Sequence, residues 1–307
     1  MHPPSRRYIP PVRTEIVEMR CRSALNHTRG YGFEWTLNAY SGCAHRCAFC
    51  YVRSYEQRAD RPCDKRYGTV VRAKVNVAEV LRSELERPSW KRDSVSIGGG
   101  SDPYQAAEGR YRLTRACLEL LAARRNPIDL LTRGTLVVRD VDVLQEAARR
   151  ARLNLCLSIP TLREEVWRRT EPGAPPPRQR LRALTMLARA GLRVGVAIAP
   201  VLPGLSDDAA GIAEVVRAGR DAGATHLWSD LLHLPRGTRE HFLGCLREHW
   251  PALLPRYECL FAGRAWLPRA ERHALDLHVE AARERYPLRR RRVIRPPAEP
   301  EQLALSI

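Results

Sequence analysis

Lysine is nearly missing from this 307-residue chain: Lys65, Lys74 and Lys91 are the only three among 52 basic residues, and the rest are arginine. Such a skew reads as coding bias in a GC-rich genome rather than as a surface selected for phosphate, although the formal net charge of +18 produces the same positive field. Long apolar runs are missing too. None approaches the roughly 18 residues that a membrane span needs, and the N-terminal stretch, broken by Pro3, Pro4, Pro10 and Pro11 and by charges, has no secretion-signal core. A cytoplasmic protein without a membrane partner is expected. Internal repeats are absent, which excludes a solenoid.

Nine cysteines could suggest disulfides, but the number is odd and three of them crowd one loop, so reduced thiols are expected. The one dense basic block, Arg289 to Arg292 beside Pro296 and Pro297, reads as a solvated, frayed end. Nucleic acid therefore stands only as a possible partner.

Residues 1–33 lack a clean period and read as an irregular extension. From Glu34 onward short apolar strands alternate with amphipathic helices, the pattern of a parallel α/β sheet. Strands are expected at 34–38, 94–98, 127–132, 154–158, 193–199 and 225–229. Between them, Asn76 with Glu79 predicts a capping box for a helix over 77–87, Asp140 a cap for the helix bearing Leu144 and Ala147, and Ser206 a cap for the helix bearing Ile212 and Val216. Gly191 is expected to close the helix of Leu184 and Leu187 in a left-handed conformation. Six strand–helix units imply a partial (β/α)6 parallel barrel over 34–235, open on one side, followed by a mostly helical region over 236–307.

The chemistry concentrates in Cys43, Cys47 and Cys50, a C-x3-C-x2-C run with Phe49 before the last cysteine. Three thiolates on one loop can hold three irons of a [4Fe–4S] cube and leave the fourth iron without a protein ligand. Zinc is an alternative, but it needs a fourth ligand, for which His45 is the nearest candidate. A redox disulfide would use only Cys47 and Cys50 and leave Cys43 unexplained.

The segment Asn38 to Gly42, the cysteine run and Tyr51-Val52-Arg53 together resemble the start of a radical S-adenosylmethionine (SAM) enzyme. Downstream, Ser96 to Gln105, Ser158 to Leu162, Glu171 to Pro175 and Ala199 to Leu205 resemble the spore photoproduct lyase-like branch of that superfamily. The resemblance implies Cys43, Cys47 and Cys50 as cluster ligands, with SAM chelated on the open iron. Reductive cleavage of SAM would then give a 5′-deoxyadenosyl radical that abstracts hydrogen from a substrate. It further implies Phe49, Gly98, Gly99, Gly100, Ser101, Asp102, Arg133 and Ser158 around SAM, and a low-potential electron donor of flavodoxin or ferredoxin type. Every one of these positions lies at or just after the carboxyl end of an expected strand, where barrel enzymes place their reactive groups.

Side-chain alternation turns Asn154, Cys156 and Ser158 inward and Leu153, Leu155 and Leu157 toward the helices. Val196, Ile198 and Pro200 are expected to line the adenine side of the pocket. The lyase proper carries a hydrogen-donating cysteine where this chain has Gly99, which argues against photoproduct repair. A zinc-stabilised nucleic-acid-binding protein is the other alternative. The sequence names no substrate and assigns no catalytic residue.

Overall fold

The computed structural model describes residues 14–28 and 33–290. The proline-rich stretch before Thr14, and Arg291, Arg292, Pro296 and Pro297 of the tail, lie outside them. The strands are β1 (Glu15–Met19), β2 (Leu25–His27), β3 (Trp35–Leu37), β4 (Tyr40–Ser41), β5 (Val70–Lys74), β6 (Val95–Ile97), β7 (Ile128–Thr132), β8 (Leu153–Ser158), β9 (Val194–Val201), β10 (His226–Leu231) and β11 (Arg289–Arg290).

Eight of them form one sheet in the order β11-β10-β9-β8-β7-β6-β3-β2. From β3 to β10 every neighbouring pair is parallel. These are the six strands the alternating pattern predicts. Each new strand joins on the same side of the last, with a helical crossover between, so the sheet winds as a half-barrel rather than doubling back. Its edges stay apart, with β2 antiparallel on β3 and β11 parallel on β10.

Two expectations change at these margins. Residues 15–19 and 25–27 are strands rather than irregular chain, and Arg289 and Arg290 pair with β10 rather than fray. A second sheet, β1-β5-β4, was not expected at all.

The helix-facing side of the large sheet is apolar: Val95, Ile97, Leu130, Leu155, Leu157 and Val196 all join the main core cluster. Cys117 lies there as well, on a helix whose Leu113, Leu118 and Leu121 are buried with it. A fully buried leucine of this kind contributes about 1.5–3 kcal/mol.

The inner side differs. Asp129 accepts from Ser94 at 2.6 Å and from Asn154 at 2.7 Å, and Cys156 Sγ lies 3.3 Å from His226 Nε2. Cys156 and His226 reach each other over Gly195 on the strand between them, where a Cβ would come within 2.4 Å of the imidazole. Val196 and Ile198 belong to the apolar face, and a Cβ on Gly219 of the covering helix would touch Val196 at 2.8 Å. They do not line the inner pocket as expected, because alternation assigns that face to Gly195, Ala197 and Ala199.

The side chains expected to cap helices bond other partners instead. Asn76 gives its side chain to the backbone of Cys21, accepting at 2.7 Å and donating at 2.9 Å, and Glu79 meets Arg20 at the surface. Asp140 accepts from Arg115 and Arg139. Ser206 turns its hydroxyl to Leu202 N–H, and Asp208 caps the helix Ala209–Asp221 through Gly211 N–H at 2.9 Å, a contact worth about 1 kcal/mol. Gly191 has φ +82, as a left-handed terminator requires.

After β10 come the helices Thr238–His249, Leu254–Leu260 and Arg269–Arg285, the last packed on Ala209–Asp221. Among the described residues no helix is long and apolar enough to cross a membrane.

Candidate functional site

The cysteine loop leaves β4 at Gly42, where φ is +80 and a Cβ would strike Val70 O at 2.6 Å. Cys43 and Cys47 are buried, Cys50 is half-buried, and all three are free thiols. Burial pushes the Cys43 thiol up to about 12 and that of Cys47 well above its ordinary value. Only a strong local positive charge, such as bound metal, would hold these sulfurs as thiolates.

Contacts from distant parts of the chain fix the loop. Gln105 accepts from Ala44 N–H at 2.9 Å and donates to Gly42 O at 3.1 Å, and Ser101 donates to the same carbonyl at 2.8 Å. Ala48 N–H donates to Thr170 O at 2.8 Å, and Gly173 N–H to His45 O at 3.0 Å. Gly173 is pressed so closely that a Cβ would lie 2.1 Å from Ala44 O. Arg53, 1% exposed, donates to the carbonyls of Arg46, Cys47, Cys63 and Asp64.

The strand ends facing the loop carry the other expected residues. Gly98 has φ +105 and packs on Leu131 O. Gly99 O accepts from the Tyr51 hydroxyl, and Gly100 N–H donates to Asn38 Oδ1 at 2.7 Å. Asp102 accepts from Thr132 Oγ1 at 2.6 Å and from Arg133 N–H at 2.7 Å, with His45 Nδ1 3.4 Å away outside hydrogen-bond alignment. Burial works against its charge, but His45 and these donors hold its carboxyl below the usual carboxylate range. His45, the candidate fourth zinc ligand, is thus directed at Asp102.

The Arg133 guanidinium lies 5.5 Å above the Phe49 ring, donating to Glu171 at 2.6 Å and to Ala199 O at 2.7 Å. Ser158 is fully buried and donates to the same Ala199 carbonyl at 3.0 Å. Cysteines, glycine turn, Phe49, Asp102 and Arg133 therefore converge on one mouth of the half-barrel. Ser101 and Ser158 spend their hydroxyls within the scaffold.

Glu171 and Arg180 are the residues whose importance the sequence reading missed. Glu171 is 1% exposed and bonds both Arg133 and Arg180, and Arg180 also holds Ser158 O at 2.9 Å. The Glu-Pro-Gly run was the available signal, but its partners lie too far along the chain to be inferred from spacing.

Among the described residues no three His, Cys, Asp or Glu side chains converge on one metal ion. A cubane makes no such demand, because each sulfur binds a different iron and the ligands spread around the cage. Three free sulfurs brought together on one loop fit that group.

The profile of the radical SAM superfamily matches residues 37–216. "Uncharacterized protein Rv2578c" of Mycobacterium tuberculosis is 38% identical, over 88% of this chain and 81% of the relative. "Uncharacterized protein ORF301" of Acidianus two-tailed virus is 30% identical, over 69% and 71%. Among solved structures, spore photoproduct lyase complexed with dinucleoside spore photoproduct superposes with a TM-score of 0.69 over 90% of this chain and 81% of that one, at 16% identity. That likeness shows the shared α/β fold.

Proposed function

Because the chain belongs to the radical SAM superfamily, we propose that it is an enzyme whose Cys43, Cys47 and Cys50 hold a [4Fe–4S] cluster and leave one iron for S-adenosylmethionine. The observation that carries this reading is the place of the thiols: three on one clamped loop, at the carboxyl-end mouth of a parallel half-barrel. When bound, cluster and SAM supply reductive cleavage to a 5′-deoxyadenosyl radical that takes hydrogen from the substrate.

The protein's own work is binding, orientation and shielding. Phe49 offers a flat apolar face to the adenine, Arg133 a cation to the SAM carboxylate, and the backbone of Gly98, Gly99 and Gly100 a close approach to its amine. Ser101, Asp102 and Ser158 act from behind by holding Gly42, Arg133 and Ala199. The inner wall of the half-barrel carries Asp129, Asn154, Cys156 and His226, which favours a hydrogen-bonding substrate. Electrons come from a low-potential donor protein. Photoproduct repair is disfavoured because position 99 offers no thiol.

Anaerobic reconstitution tests the reading. About four irons per chain, a reduced-cluster resonance perturbed by SAM, and 5′-deoxyadenosine as product are expected. Failure to take up iron, or preferential binding of zinc, overturns it.

A further inference from the structure

Tyr67 is contributed by the irregular segment between the helix Arg53–Arg58 and β5, which forms no part of the half-barrel. It is nevertheless 2% exposed and packs with Cys43 and Val52 in a small cluster of its own, which Cys50 and Tyr51 border. Its hydroxyl oxygen lies 3.4 Å from Cys50 Sγ.

The geometry is held on three sides. Gly68, with φ +77, is pressed on the cysteine loop so that a Cβ would come within 2.2 Å of Cys43 O, which fixes the backbone beside the phenol. Tyr67 N–H donates to Asp64 O at 3.0 Å. The Arg53 guanidinium lies 4.4 Å over the ring while its N–H groups bind carbonyls of both the cysteine loop and the Cys63–Asp64 turn. One buried arginine thus ties the sulfur-bearing loop to the segment that delivers the phenol.

Either atom of the pair can donate while Cys50 is a thiol. Once its sulfur is a metal-bound thiolate there is no S–H, and only the phenol has a hydrogen to give. A hydrogen bond to a cluster sulfur stabilises the more negative, reduced state more than the oxidised one, and so raises the reduction potential.

We propose that Tyr67 is a positioning residue that donates a hydrogen bond to the Cys50 sulfur and thereby sets the reduction potential of the cluster held by that loop. The proposal rests on the reading given under Proposed function.

The test is a redox titration of reconstituted full-length protein, followed by the resonance of the reduced cluster without SAM. Three chains are compared: the natural one, Tyr67→Phe, and one with 3-fluorotyrosine placed at position 67. Tyr67→Phe keeps the ring and loses the donor, so its midpoint moves to more negative potential. The equilibrium constant for reduction falls about tenfold, which for a one-electron couple is about 59 mV. Fluorination makes the phenol a stronger donor and shifts the midpoint the other way, with shape and packing preserved. Deuterium exchange followed by electron–nuclear double resonance should show a strongly coupled exchangeable proton in the natural chain that Tyr67→Phe lacks. Equal midpoints and unchanged proton coupling across chains that all carry the cluster overturn the proposal alone. A natural chain that takes up no iron overturns the cluster reading and the proposal with it.

Discussion

One carboxylate oxygen of Glu171 accepts from Arg133 Nε at 2.6 Å while the other accepts from Arg180 at 2.7 Å. Arg133 follows β7 and Arg180 lies on the helix Pro177–Arg189, so a single buried acid ties two barrel units together beneath the mouth.

Glu171→Gln leaves the buried Arg180 and the half-buried Arg133 with a weaker acceptor, and is expected to cost about 3–5 kcal/mol of stability in urea unfolding at neutral pH. Burial raises the Glu171 pKa, but Arg180 and Arg133 outweigh it and hold the carboxyl below its ordinary value. Its contribution is therefore present above the unfolded-state pKa of about 4.3 and is lost as pH falls through the lower folded-state value. The natural chain should lose stability on that acid limb, and Glu171→Gln should show a shallower loss.

Gly98 and Gly99 should respond oppositely to substitution. Gly98 has a left-handed φ, and a Cβ there would lie 2.1 Å from Leu131 O, so Gly98→Ala is expected to cost about 1–3 kcal/mol or more. At Gly99 a Cβ would find Tyr51 OH at 3.7 Å and Thr36 Cγ2 at 4.0 Å, both ordinary contacts. Gly99→Cys should change stability by no more than about 1 kcal/mol. Thermal melts of the two variants, with thiol titration of the second, check both expectations.

Gly173→Ala tests the clamp on the cysteine loop. The methyl group would meet Ala44 O at 2.1 Å, so the loop must move away. Iron bound per chain after reconstitution should fall well below that of the natural protein, while far-ultraviolet circular dichroism keeps the α/β signature. Full iron content would show that the contact is dispensable.

Asp230 is open to solvent yet ringed by protein, and that desolvation pushes its carboxyl up to about 6. An unfolded aspartate titrates near 3.9. Below about pH 4 both states are protonated and the group is neutral in its effect. Between about pH 4 and pH 6 the unfolded chain ionises first, and stability falls as pH rises. Asp230→Asn should therefore raise the melting temperature at about pH 8 and leave it unchanged at about pH 4.

The six parallel strands were legible because each is a short apolar run set between helices of clear period, as in Leu153–Ser158 before the Leu184 and Leu187 stripe. The small sheet was not. Its β1 is exposed at Glu15, Val17, Glu18 and Met19, so no buried face imprints an alternation on it. The Asn76 cap failed for a related reason: Asn76 binds Cys21, 55 residues away, and a local motif cannot report a partner that remote, whereas Ser206 turned to Leu202 in its own loop. In the site, the three cysteines were readable because they lie within eight residues of one another on a single loop. Tyr67, Arg53 and Glu171 act through contacts that only folding creates, and no spacing rule encodes them.

The partners that finish the cysteine loop come late in the chain. Thr170 holds Ala48, Gly173 holds His45, and Thr238 donates to Cys50 O from 188 residues downstream. During synthesis the sulfurs emerge long before the segments that shape their loop. The loop can reach its clamped form only once the Thr238 turn has left the ribosome, so the last shaping contact waits for most of the chain to be made.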